Sequence, residues 1–280
     1  MGKRLAPYGL LAPAGVWQAL FFIVPMFAMF TLSLSTGSSR TGYNFDWAFA
    51  NYPEVIDRYG QFFLRSFRNA SIVTVLGLAL AYPAAYWIAF HGGRRKSTFL
   101  LLLLLPFFVS FVIRTLSWSF ILSDEGFVLG TLKDIGVLPD AFQILNTTPA
   151  VIGGITYNLL PFTTLPLFVA LDRIDKRLVE AASDLYASRR EAFRKVVFPL
   201  SLPGVFAGGL LTFIPAMGDY VNADVLGGPG THMIGNQIQQ EFLLQRNYER
   251  ASALAFILML MMVVGAIVYA RVLGTEDITT

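Results

Sequence analysis

ASALAFILMLMMVVGAIVYA, residues 251–270, runs for twenty positions without a charged side chain. A helix rises about 1.5 Å per residue, so about 20 apolar residues cross the roughly 30 Å of hydrocarbon in a bilayer, whereas one charge at the centre costs about 3 kcal/mol. The run therefore reads as a membrane span. The same test applied back along the chain gives five more, and the predicted spans are 16–35, 69–90, 97–122, 149–171, 200–219 and 251–271. The third carries one intramembrane charge, Arg114. Pro25, Pro83, Pro106, Pro161, Pro166 and Pro215 sit in or beside these spans. A helix inside a membrane protein tolerates proline because neighbouring helices satisfy the freed carbonyls, so local breaks are expected. The fold class is an all-α integral membrane protein: six transmembrane helices in a single transmembrane domain, 1–280, with a long helical loop, 172–199, between helices four and five.

Composition agrees. The 280 residues are 55% hydrophobic and only 14% charged, with a mean hydropathy of +0.59, too apolar for an ordinary water-soluble domain. Cysteine is absent, which removes disulfides and thiolate metal sites. His91 and His232 lie far apart and form no metal pair, so no metal site is expected. Lys3 and Arg4 precede an apolar stretch that is too long for a signal peptide and lacks a small-residue cleavage site, so it reads as the first span.

Orientation follows from Lys and Arg, which accumulate on the cytoplasmic side. With both termini cytoplasmic, thirteen of the 21 basic residues lie inside: Lys3, Arg4, Arg94, Arg95, Lys96, Arg173, Lys176, Arg177, Arg189, Arg190, Arg194, Lys195 and Arg271. Seven lie outside, four of them (Arg40, Arg58, Arg65 and Arg68) in the long first external loop, and Arg114 is the remaining one. This asymmetry accounts for the net charge of +3, so no nucleic-acid partner is inferred; the partner surface is the lipid bilayer.

The loops are unequal. His91 to Lys96 can only turn the chain, whereas Asp172 to Lys195 is long, charged and rich in helix formers. Its apolar residues Ile174, Leu178, Val179, Ala182 and Leu185 fall at helical spacing, which predicts a helix with one face to bury.

Within it stands Glu180-Ala181-Ala182-Ser183-Asp184-Leu185-Tyr186-Ala187-Ser188, followed by Val196, Pro199 and Pro203-Gly204. This string resembles the cytoplasmic signature of the permeases of ATP-binding-cassette importers, Glu-Ala-Ala, three residues, Gly, nine residues, Ile-x-Leu-Pro. The resemblance implies the superfamily's fold and a short helix pair seated in a cleft of an ATPase subunit, with Glu180, Ala181, Ala182, Asp184, Tyr186, Ala187, Val196 and Pro199 as the coupling residues. Tyr186 stands where the family usually has Gly. Glycine there would permit a positive φ that tyrosine resists, so the bend is expected to use ordinary φ values or to shift to a neighbour.

Two further stretches, Phe111 to Trp118 with Leu122 to Gly126 and Pro215 to Tyr220 with Leu226-Gly227-Gly228, Met233 to Asn236 and Gln240 to Phe242, are similar to the spermidine/putrescine branch. The resemblance implies a polyamine or related small organic cation as substrate. It also implies three kinds of partner: an ATPase dimer that binds ATP and Mg, a second homologous permease, and an extracytoplasmic solute-binding protein. Gly126 to Asp140 and Gly227 to Gln245 are the candidate contacts for the last. The expected location is the bacterial inner membrane.

The residues themselves bear on catalysis. An ATPase needs a Gly-rich phosphate loop ending in Gly-Lys-Ser/Thr; the nearest fragment, Lys96-Ser97, follows Arg95 in a tight turn. The chain is therefore read as a transport subunit without a cofactor or ATP site of its own. Polar groups at membrane depth are costly and usually functional. Asp219, Asp224 and Tyr220, at the end of the fifth span, and Trp118 and Tyr157 would offer carboxylates and aromatic faces to ammonium groups, a cation–π contact contributing about 0.5–2 kcal/mol. The competing readings are a loop that begins with aspartates and an interfacial belt of aromatic residues. Arg114 would repel a polyamine, so it pairs with an acid of a neighbouring helix or subunit or serves a gate. An ion-coupled secondary transporter is the alternative class; it calls for internally repeated spans and intramembrane carboxylates, and no repeat is evident.

Overall fold

The computed structural model describes residues 12–272. Lys3 and Arg4 lie outside the described residues, as does the chain after Val272. The chain divides into two compact units, one of Met1–Gln61 with Gln237–Leu260 and one of Phe62–Asn236 with Met261–Thr280.

In the first unit, α1 (Ala12–Ser33) is apolar all round and exposes Trp17, Phe21, Phe22 and Phe27, as a lipid-facing helix does. A π-helical turn, Ala19–Ile23, precedes Pro25, whose missing N–H breaks the regular ladder. A small hairpin follows, β1 (Ser35–Ser38) antiparallel to β2 (Gly42–Phe45), the one departure from an all-α fold among the described residues. Gly37 permits it: φ is +128° and a Cβ would lie 2.2 Å from the Gly42 carbonyl oxygen. The unit then enters α2 (Asn51–His91). Asn51 Nδ2 donates to the carbonyls of Ser33 and Ser35, both at 3.0 Å, and Pro53 and Glu54 suit a first turn.

Helix α2 corrects the predicted second span. Its 41 residues would extend about 60 Å, twice the hydrocarbon thickness, so 69–90 is only its second half. Arg58, Arg65 and Arg68, read as loop arginines, ride on a helix. The reason is amphipathicity: Val55, Tyr59, Phe63, Ser66, Ala70 and Val73 form one buried stripe, and the arginines fall on other faces. A search for charge-free runs ends at the first arginine and misses this.

In the second unit the predicted third span is broken. α3 (Lys96–Leu104) passes through a 3-10 turn, Leu105–Phe108, and the chain is extended at Val109 and Ser110 before α4 (Phe111–Ile121). The two halves meet at 86°. Pro106 withholds the N–H that would continue the ladder, and Ser110 opens the new helix. Five described helices are long and apolar enough to cross a membrane, six if the bent pair counts as one span. A short helix α5 (Phe127–Asp134) leads to α6 (Thr148–Asp172), α7 (Lys176–Asp184), α8 (Arg189–Met217), α9 (Val221–Leu226) and α10 (Ile234–Gln239). The last helix, α11 (Tyr248–Val272), begins in the first unit and ends in the second.

The α6–α8 contact anchors this unit. A Cβ on Gly208 would lie 2.8 Å from the Thr163 carbonyl oxygen, and one on Gly204 would lie 2.8 Å from that of Pro166. Small residues four apart bring the backbones together, as in membrane helix pairs, and the Thr163 and Thr212 hydroxyls share a 2.6 Å hydrogen bond beside them. Next to this contact, Ala81, Ala85, Ala89, Leu167, Leu171, Ile174 and Val197 form a buried cluster that joins α2, α6, the chain just after α6 and the first part of α8.

Candidate functional site

The loop between α6 and α8 is a helix–turn–helix whose ends are closed locally. Asp175 caps α7, its Oδ1 accepting from the Arg177 amide at 3.0 Å. At the other end the Ala187 amide donates to the Ala182 carbonyl and the Tyr186 amide to that of Ser183, both at 3.0 Å, the paired bonds of a Schellman turn. Ser188 and Glu191 then form a reciprocal capping box at the start of α8. The residue at the left-handed position of the turn is Tyr186, with φ +61°. The expectation of ordinary φ values or a shifted bend is therefore corrected: the tyrosine adopts the conformation glycine would have supplied. A side chain there costs about 1–2 kcal/mol relative to a right-handed conformation, offset here by the two turn bonds and the flanking caps.

Burial around the turn is uneven. Ile174 is buried, and Val179 and Phe193 pack against the α2–α6 cluster, fixing the pair's base. The predicted apolar face is not wholly buried, however: Leu178 is 47% exposed, Leu185 81% and Tyr186 97%. Glu180, Ala181, Asp184 and Pro199 are exposed and Ala182, Ala187 and Val196 half-buried. The tip is thus an apolar, rigidly capped projection. A π-helical segment, Phe193–Val197, carries the chain from it into α8 just before Pro199.

The predicted substrate-path residues fall into two groups. The first is a hydrogen-bonded cluster. Asp219 follows the end of α8; its Oδ1 accepts from the Asn222 amide and its Oδ2 from Asn222 Nδ2, both at 2.8 Å. Asn222 Oδ1 accepts from Asn158 Nδ2 at 3.0 Å and from the Thr115 hydroxyl at 3.3 Å, and that hydroxyl accepts from Asn158 Nδ2 at 3.0 Å. Asp224 accepts from Asn236 Nδ2, which also reaches the Tyr220 carbonyl at 3.0 Å. Asn236 Oδ1 accepts from the Met233 amide at 2.7 Å, so one side chain ties the start of α10 to α9. The aspartates therefore hold the α8–α9 turn in shape, while neither has a Lys or Arg partner within 4.0 Å among the described residues. Asp219 is half-buried, and Asp224 and Tyr220 are exposed. Thr115, Asn158 and Asn222 are buried, and all three are central members that the sequence-based site set lacks. An Asn midway along an otherwise apolar span was the available signal for Asn158.

The second group is Arg114, Trp118 and Tyr157. The two rings meet edge to face at 5.3 Å, and the Arg114 guanidinium lies 4.2 Å from the Phe107 ring centre. Positions 114 and 118 share a face of α4, whereas Thr115 is turned toward the Asn222 cluster.

Comparison with known proteins shows the family. Residues 16–273 match the model of the family described as binding-protein-dependent transport system inner membrane component. The chain is 36% identical over 256 residues to the spermidine/putrescine transport system permease protein PotB of Haemophilus influenzae, covering 91% of this chain and 90% of that one. It is 34% identical to the PotB protein of Escherichia coli K12, covering 91% and 93%. Among solved structures, a bacterial transporter that imports the acidic polysaccharide alginate has the same fold, with a TM-score of 0.75 at 20% identity over 99% of this chain and 98% of that one. The MetNI methionine transporter aligns with a TM-score of 0.57 at 16% identity over 76% and 93%. The chain belongs to the binding-protein-dependent transport system inner membrane component family and is a multi-pass permease subunit of an ABC importer, without an ATPase site of its own.

Proposed function

We propose that this permease carries spermidine, putrescine or a related small organic cation through a pathway it forms with a second, homologous permease. The observation that carries the reading is the identity of more than a third to spermidine/putrescine permeases over nine-tenths of the chain. The Asp219 and Asp224 carboxylates add to it, since no basic side chain of the described residues neutralises them and an ammonium group would. Tyr220, 42% exposed beside them, offers a ring face to the same cation.

Energy would come from an ATPase dimer that binds ATP and Mg and receives the Leu185–Tyr186 tip, with Glu180, Ala181, Ala182, Asp184, Ala187, Val196 and Pro199 around it. This orientation sets both termini and the loop between α6 and α8 on the cytoplasmic side. A solute-binding protein would deliver substrate to the opposite side; a related alginate transporter has been solved with its substrate-bound periplasmic protein, which supports such a partner. The test is ATP hydrolysis by the complex reconstituted with its binding protein and offered putrescine, spermidine and amino acids in turn. Stimulation by a polyamine supports the reading; stimulation by amino acids alone overturns it.

A further inference from the structure

Arg114 is 8% exposed, and its Nε and Nη1 groups are buried without a hydrogen-bond acceptor. Guanidinium keeps its charge under all ordinary conditions and holds its N–H donors in one plane. The Phe107 ring, its centre 4.2 Å from the guanidinium carbon, offers a cation–π contact but no acceptor for Nε and Nη1. No Asp or Glu among the described residues lies within 4.0 Å of it. The group forms the wall of a cavity of about 290 Å³ lined also by Pro106, Val109, Ser117, Trp118 and Tyr157. This cavity sits at the 86° break between α3 and α4, where the chain is least regular. Around it Phe108, Val112, Ile113 and Phe120 are exposed, Phe108 by 82% and Phe120 by 73%.

These features restrict what fills the cavity. The lining is mostly apolar, and hydrocarbon accepts no hydrogen bond, so lipid tails cannot satisfy the donors. A polyamine has no anionic group and is repelled by the arginine. A carboxylate would answer both the charge and the in-plane donors, and the apolar rim fits a protein surface packed within the membrane. We infer that Arg114 is the receiving half of a salt bridge whose carboxylate belongs to an Asp or Glu of the second permease subunit, seated in the Trp118–Tyr157 cavity. The inference rests on the proposed pairing of two permeases.

The test uses the whole complex. Each Asp and Glu in the spans of the second permease is changed to Asn or Gln, alone and with Arg114→Gln. A buried pair broken on one side weakens strongly, so Arg114→Gln should lower recovery of intact complex at least about tenfold. One acidic variant should match that loss, the double variant should be no worse, and Arg114→Glu with the partner acid changed to Arg should restore assembly. Proximity is read independently of these variants: the chain has no cysteine, so Ser117→Cys should cross-link only to a cysteine placed beside that acid. Additive losses with every acid, or no cross-link, overturn the inference. So does an Arg114→Gln complex that assembles normally but loses affinity for a carboxylate-bearing substrate, or that differs from the parent only in anionic lipid. Purification without any second permease would instead defeat the pairing on which the inference rests.

Discussion

The turn at Tyr186 and the cluster around Asn222 are both made of hydrogen bonds, yet they are closed over very different lengths of chain. At the turn, each exposed backbone group finds its partner within six residues, between Ala182 and Glu191. At the cluster, Asn158 and Thr115 are 43 residues apart and Thr115 and Asn222 are 107 apart. The first is exposed and self-sufficient; the second is buried, and its side chains bond chiefly to one another, with the Thr115 hydroxyl also reaching the Phe111 carbonyl. A locally closed element keeps its shape when a partner leaves, which suits the proposed role of the tip in engaging an ATPase. A cluster closed over long range holds three elements in one arrangement and fails as a unit when one member is removed.

The largest effect is therefore expected at Asn222. Replacing it by Leu removes the acceptor of one Asn158 Nδ2 bond and of the Thr115 hydroxyl and the donor to Asp219 Oδ2, while the backbone amide still reaches Asp219 Oδ1 and Asn158 Nδ2 still reaches Thr115; each stranded buried group costs about 1–3 kcal/mol. Asn222→Leu should lower the melting transition of the purified complex and stop transport, whereas Leu at the exposed position 185 should be replaceable by Ala without change in that transition. Equal melting in the two variants would break the comparison.

Next come the proposed coupling residues. Glu180→Lys or Ala182→Arg should uncouple or release the ATPase while leaving membrane insertion and melting unchanged, because neither side chain supports the turn's own hydrogen bonds. Co-purified ATPase and uptake measured together check this; normal values of both in the two variants would refute the coupling role.

A smaller loss is expected at Asp219. Asp219→Asn deletes the charge and turns an acceptor toward Asn222 Nδ2 into a donor, so polyamine uptake should fall about tenfold, equivalent to about 1.4 kcal/mol. Asp224→Asn should do less, and its effect should shrink at high salt because the group is exposed. Wild-type uptake by Asp219→Asn would leave that residue only its part in holding α9.

The smallest effect, and the only gain, is expected at Tyr186. Because it stands at φ +61°, Tyr186→Gly should relieve about 1 kcal/mol of backbone strain and protect amides 182–187 more strongly from hydrogen exchange. Coupling that nevertheless falls would assign the ring, 97% exposed, a direct contact with the ATPase.

How much was legible in the sequence differs between these regions for the same reason. The spans at Thr148–Asp172 and Tyr248–Val272 lie within a few residues of the predicted 149–171 and 251–271, because hydropathy is a property of contiguous residues. The coupling turn was legible as a motif, and its caps, Asp175 and Ser188 with Glu191, are written in adjacent positions. The start of α2 at Asn51 was not, since its arginines resemble a loop until the stripe from Val55 to Val73 is seen to be buried.

The sequence alone determined that this chain lives in lipid, crosses it several times and carries one long charged helical loop, because a membrane spanned by helices leaves few other options for such apolar runs. Tertiary structure alone decided that Tyr186 would take the left-handed position, that Thr115, Asn158 and Asn222 would meet beside Asp219, and that Arg114 would face a cavity with its donors unanswered. Those outcomes depend on which faces of α4, α6 and α9 are brought into contact, and helix packing fixes that through residues far apart in the chain.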